Sequence, residues 1–123
     1  MVPLKAQASM IQTASQAFTE IMELMVRDPE VLRLFHFGTH DFASLSEEER
    51  LRFSSMMGAM LHRFENLVAQ TERGLLPCDS WDGAANRLRG TLALPDTLDW
   101  WARGKHVFND QLQNWVDREV IEK

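Results

Sequence analysis

The chain has 123 residues, enough for one domain whose core forms without a metal ion or a disulfide framework. Its 45% hydrophobic and 25% charged residues are typical of a folded globular protein, and its single cysteine, Cys78, excludes an internal disulfide. The net charge of −5 and the absence of any basic run argue against nucleic acid as the main partner.

The first predicted helix runs from about Ala6 to Arg27. Its apolar residues are spaced 3, 4, 3 and 4 apart, which resembles a coiled-coil seam but lasts only about two heptads. We therefore predict a packed bundle helix, and we also regard residues 1–27 as the candidate oligomerisation segment. The seam consists of Ile11, Ala14, Phe18, Ile21 and Met25.

A short second helix is predicted to follow at once. Asp28 is a natural N-cap, and Pro29 suits the first helical position because its missing N–H is not needed there. Gly38 favours the left-handed conformation in which helices often end, so we predict that the helix stops at this glycine.

The third predicted helix covers about residues 46–73. Ser46 and Glu49 have the spacing of a capping box, and Gly74 provides the stop signal. At 1.5 Å per residue this helix is about 40 Å long, so we expect it to be the central rod of the domain.

Three shorter helices complete the prediction. The fourth begins near Asp79 or Ser80 and ends before Pro95, the fifth continues from there to Gly104, and the sixth begins after Asn109. No stretch shows the alternation typical of a strand. The sequence therefore predicts an all-α, single-domain bundle of five to six helices over residues 1–123.

The stretch HRFENLVAQTERG, residues 62–74, concentrates polar side chains on the third helix. On a helical wheel the apolar residues of this helix fall within an arc of about 140°, and His62 points the opposite way. This pattern predicts a face in contact with solvent or a protein partner. The interaction candidates are His62, Glu65, Asn66 and Arg73, together with Trp100, because only one of the tandem tryptophans can point inward.

Glu65 lies at the edge of the apolar stripe rather than opposite to it. A carboxylate in this position usually pairs with an arginine or caps a neighbouring helix. Arg87 and Arg89, on the fourth helix, are the arginines that we expect to be available.

A metal site is the main alternative to an interaction surface. His36 and His40 have i, i+4 spacing and Asp41 follows, but the predicted break at Gly38 would separate the two imidazoles. No Glu-x-x-His pair of the di-iron type occurs. We therefore predict no metal and no cofactor.

The nearest approximation to an acid–base pair is His62 with Glu65, and no nucleophile motif is present. The expected function is a non-enzymatic helical interaction or oligomerisation domain, acting as a homo-oligomer or with a protein partner. The alternative is a metal- or small-ligand-dependent enzyme or sensor that uses the histidines and carboxylates of either cluster.

Several phrases occur in a fixed order between Asp28 and Val116: DPEVLRLFHFG, LSEEERLRF, HRFENLVAQTERGLL before Trp81, and WWARGKHVF before a final NWV. This order resembles a group of uncharacterised bacterial helical proteins, many of them described as membrane-associated. The resemblance implies a helical domain without an established activity, tethered to a membrane in longer relatives. Because no stretch of this sequence is long and apolar enough to span a membrane, we expect a cytoplasmic protein, or a membrane-associated one if an anchor belongs to a longer chain.

Overall fold

The computed structural model describes residues Met1–Lys123 and confirms the all-α bundle, with helices and no strand. Short 3₁₀ turns follow α2 and α5, and a π-helical turn, Asp117–Ile121, continues α6. No helix combines the length and the hydropathy needed to cross a bilayer. The six α-helices are α1 (Leu4–Arg27), α2 (Pro29–His40), α3 (Glu47–Glu72), α4 (Asp82–Leu92), α5 (Pro95–Gly104) and α6 (Asp110–Val116).

Helix α3 is the central rod, and it packs against α1, α2 and α6. It begins at the predicted capping box: the Ser46 hydroxyl accepts a hydrogen bond from the Glu49 N–H at 3.2 Å, and the Glu49 carboxylate accepts one from the Ser46 N–H at 2.9 Å. Beyond its end, Gly74 has a φ of +73°, as predicted for a glycine stop. The buried stripe also agrees with the prediction, and it comprises Phe53, Met57, Met60, Leu61, Phe64, Leu67, Val68 and Ala69.

All six helices contribute to one hydrophobic cluster of 23 buried residues. Aromatic pairs lie within this cluster: Trp81 stacks on Trp115 with ring centroids 5.7 Å apart, and Trp101 stacks on Phe108 at 5.2 Å. The seam predicted on α1 faces this cluster, because Ala14, Phe18 and Ile21 are buried there and Ile11 and Met25 are partly buried. The seam is therefore used within the chain.

The predicted end of α2 at Gly38 is wrong, because the helix continues to His40. Gly38 is buried against Phe53 of α3, and a β-carbon added to Gly38 would lie 2.1 Å from the Phe53 ring. This glycine allows two helices to approach closely and does not adopt a left-handed conformation. Asp41 ends the helix instead, and its N–H donates to the Phe37 carbonyl.

The predicted start of α4 near Asp79 or Ser80 is also wrong by about one turn, because the helix begins at Asp82. The Ser80 hydroxyl donates to the Pro77 carbonyl at 2.7 Å, so it stabilises a turn and does not cap the helix. Trp81 then enters the core, where its indole N–H donates to the Thr71 hydroxyl at 3.0 Å.

Candidate interaction surfaces

The polar stretch of α3 lies on the outside of the bundle, as its helical position indicates. The His62 side chain is 51% exposed, and its Nδ1 atom hydrogen bonds to the Glu65 carboxylate one turn later. The imidazole also rests against the Phe108 ring, with centroids 4.7 Å apart. His62 therefore lies at the surface, in contact with one carboxylate and one aromatic ring.

Both oxygens of the Glu65 carboxylate have partners, one of which was not expected. While one oxygen contacts His62, the other accepts the Asn109 N–H at 2.6 Å and so supports the start of α6. The predicted pairing with Arg87 or Arg89 is wrong, and the other option, capping a neighbouring helix, is correct. A carboxylate held in this way positions α6.

Of the remaining predicted interaction residues, Asn66 lies next to His62, one turn further along α3, while Arg73 and Trp100 lie apart from it. The Asn66 amide donates to the Met10 sulfur at 3.2 Å, and Arg73 is exposed at the C-terminus of α3. Trp100 is only partly exposed, and its indole N–H donates to the Ser54 hydroxyl at 2.9 Å, near the beginning of α3. These candidates are therefore distributed along the whole central helix.

The second predicted cluster lies at the end of α2, where the unbroken helix brings two histidines together. The rings of His36 and His40 are stacked, with centroids 4.9 Å apart and planes at 24°. Asp41, His62 and His106 do not join them, since no group of three or more histidine, cysteine, aspartate or glutamate side chains is arranged to hold a metal ion. The helix therefore supplies a pair of imidazoles.

A further surface, which the sequence analysis did not single out, is an apolar groove between α1 and α4. We call this feature the α1/α4 groove; its volume is about 340 Å³. Phe18 and Met25 of α1 and Met60 of α3 form apolar walls, while Arg87 and Gly90 of α4 lie on the opposite side. The groove is open to solvent.

The exposed ridge of α1 borders this groove. We call it the outer face of α1, and it consists of Thr19, Met22, Glu23, Val26 and Arg27, which surround a shallow apolar depression of about 430 Å³. Met22 is 38% exposed and Val26 is 86% exposed. The face therefore presents apolar side chains to solvent beside an unfilled groove, an arrangement that marks interaction sites.

The charged side chains around this surface are not neutralised within the chain. Glu23, Arg27 and Arg87 take part in no ion pair. Arg87 donates only to the Met22 sulfur, at 3.1 Å, and the Arg27 Nε donates to the Glu23 backbone carbonyl. Two cations and one anion thus remain available to a partner.

The sequence indicates this surface through a second row of residues at helical spacing on α1. Ser15, Thr19, Met22 and Val26 are spaced 4, 3 and 4 apart, beside the buried seam. Ser15 and Thr19 are polar, so the pattern of this row does not predict an apolar stripe. The sequence analysis therefore did not identify Met22 and Val26 as part of an exposed apolar surface.

The strongest charge interactions of the protein join helices and are separate from both surfaces. The Ser46 backbone N–H, followed by Arg33, lowers the pKa of the Glu49 carboxyl below its ordinary value. The side-chain hydrogen bond from Arg89 similarly lowers the pKa of Glu119. These shifts accompany structural contacts, so they do not indicate a tuned acid or base.

Comparisons of this chain with known protein families, with curated proteins and with solved structures find no match.

Proposed function

We propose that this chain is a non-enzymatic helical assembly module that pairs with a second copy of itself through the outer face of α1 and the α1/α4 groove. The observation that carries the proposal is the position of Val26, 86% exposed, beside an apolar groove that its own chain leaves open. Placing Val26 of one copy against the groove of the other, where Met22 lines the wall, removes apolar surface from water on both sides.

The charges favour a second copy as the occupant. When two α1 helices cross antiparallel between Glu23 and Arg27, the glutamate of each copy lies opposite the arginine of the other. The two-fold axis generates this ion pair twice, so the glutamate and the arginine of each copy both have a partner in the other copy. A parallel arrangement would instead place like charges side by side.

Helix α4 allows a partner helix to come close. Gly90 lines the groove, and a β-carbon added there would have no heavy atom within 4 Å. Its φ is not positive, so neither backbone conformation nor packing within the chain requires glycine at this position. Glycine inside a helix costs about 1 kcal/mol relative to alanine. The close approach of a partner helix would explain why glycine occupies position 90.

The polar clusters support a non-enzymatic role because their side chains already have structural partners. Glu65 supports the start of α6, and the imidazole of His62 is held by Glu65 and Phe108. Membership of the bacterial helical family and membrane tethering in longer relatives remain predictions that rest on the sequence phrases given above. A cytoplasmic location remains a prediction that rests on the lack of a stretch able to span a membrane.

The test is the mass of the protein by light scattering at tens of micromolar. We expect the wild-type chain to have twice its 14.2 kDa mass. Gly90→Leu fills the groove and should weaken association by at least about tenfold, so that the measured mass of the variant falls to that of one chain. Gly83→Leu is the matched control, because Gly83 lies on the same helix, has open space around it and does not line the groove.

Both variants should fold, since leucine is a better helix former than glycine and a β-carbon at either position has no heavy atom within 4 Å. Circular dichroism and urea unfolding check this point. A wild-type chain that remains a monomer would contradict the proposal. So would a Gly90→Leu protein that associates as strongly as the wild type.

A further inference from the structure

We propose that His36 and His40 form a binding site for a divalent transition-metal ion of the Zn²⁺ and Cu²⁺ class. The inference does not depend on the assembly proposed above, because these residues lie at the end of α2 and do not line the α1/α4 groove. It rests on the continuity of α2 through Gly38, which places both imidazoles on one turn of helix, and on the way in which His40 is held.

The first step of the argument is the geometry of the rings. Their centroids are 4.9 Å apart and their planes differ by 24°, and both side chains are exposed. Zn–N bonds of about 2.0 Å place two coordinating nitrogens roughly 3.3 Å apart. Because residues i and i+4 are neighbours on a helix surface, the two exposed rings can reach this separation.

The second step is the protonation state of His40. Its Nδ1 lies 3.1 Å from the His36 carbonyl oxygen and 2.9 Å from the Thr39 hydroxyl. We infer that Nδ1 donates, because a carbonyl oxygen can only accept, and that in the neutral ring the lone pair is therefore on Nε2. The Thr39 hydroxyl in turn donates to the Phe35 carbonyl at 2.8 Å, which leaves its oxygen free to accept from His40.

This arrangement is the one that metal-binding histidines usually show. The ring nitrogen that does not bind metal donates to a backbone carbonyl, which fixes the orientation of the ring and raises the basicity of the coordinating nitrogen. The His36 ring is held on its two sides by His40 and by the edge of Phe37 at 5.2 Å. Nothing in the chain occupies either Nε2 atom.

The surroundings also favour a cation. The two histidines form the last turn of α2, where the unpaired carbonyls and the helix dipole carry partial negative charge. Neutral imidazole selects borderline metals over Mg²⁺ and Ca²⁺, which prefer oxygen. Because the chain supplies two ligands, water or an external donor completes the coordination.

The experiment is a titration with Zn²⁺ alone, followed through the imidazole nitrogens by ¹⁵N NMR. Cys78 is exposed and a cysteine thiolate is itself a zinc ligand, so all samples carry Cys78→Ser. Without metal, we expect His40 to show the tautomer protonated at Nδ1. At one equivalent of Zn²⁺, the Nε2 resonances of His36 and His40 should shift together, while those of His62 and His106 stay in place.

The variants His36→Gln and His40→Gln should each weaken Zn²⁺ binding by at least about tenfold, since one imidazole cannot chelate. His106→Gln, an exposed histidine elsewhere, is the control and should bind as the parent does. Equal responses from all four histidines, no response at one equivalent, or unchanged binding by His36→Gln would each overturn the proposal. Mg²⁺ at the same concentration should have no effect.

Discussion

Gly38 packs directly on the ring of Phe53, which is completely buried. Because a β-carbon at this position would lie 2.1 Å from a ring that has no room to move, the change Gly38→Ala forces α2 and α3 apart. We expect a loss of about 1–3 kcal/mol in the free energy of unfolding, measured by urea denaturation.

Gly58→Ala is the matched control for this change. Gly58 also lies inside a helix, but a β-carbon there meets no atom within 4 Å. Alanine should therefore leave stability unchanged or raise it by about 0.5–1 kcal/mol. If Gly38→Ala were as stable as Gly58→Ala, the close approach of the two helices would be wrong.

Individual residues were predictable from sequence where their partners are close along the chain. Asp28 caps α2, and Ser46 and Glu49 form their reciprocal cap, because each partner is two or three residues away. The role of Gly38 and the partner of Glu65 were predicted wrongly because the residues that they contact are distant along the chain. Phe53 is 15 residues from Gly38 and Asn109 is 44 residues from Glu65. Helical periodicity does not predict contacts between residues so far apart in the sequence.

At the scale of helices, Arg89 and Glu119 tie α4 to the π-helical turn after α6. The Arg89 guanidinium donates to the Glu119 carboxylate at 2.7 Å and lies over the Trp115 ring, 5.5 Å from its centroid. The Glu119 side chain is only 16% exposed, so water screens the pair weakly. The contact holds the C-terminal segment against α4.

The pH dependence of this contact follows from the lowered pKa of Glu119, for which the hydrogen bond from Arg89 is the main cause. Because the folded value lies below the unfolded one, the stabilisation is present at neutral pH and is lost as the pH falls below about 4.3. Glu119→Gln should therefore lower stability by about 1 kcal/mol at pH 7, and the difference from wild type should shrink in acid.

Urea unfolding at a series of pH values measures this difference. Glu48→Gln is the control, since Glu48 pairs with Arg52 on an exposed face of α3, where ion pairs contribute little. We expect it to change stability by less than about 0.5 kcal/mol at pH 7. A Glu119→Gln difference that stayed constant from neutral to acid pH would contradict the assignment of the stabilisation to the charged carboxylate.

Whole-molecule organisation was predictable to the level of six helices around one central rod, because the 3.6-residue period of α3 is long and regular. The surface was harder to predict. The seam on α1 predicted which side of this helix faces the core. Which other side of α1 borders the groove depends on where α4 packs. That relation depends on tertiary packing, and it makes Met22 and Val26 candidates for an interface.

The assembly proposed for the whole molecule is tested most directly by exchanging charges on the outer face of α1. Glu23→Arg leaves two arginines on this face and Arg27→Glu leaves two glutamates, so each variant should repel its own copies and have the mass of one chain by light scattering. An equimolar mixture restores opposite charges across the antiparallel crossing and should have the mass of two chains. A mixture that remains monomeric, or single variants that pair as well as the wild type, would contradict the account.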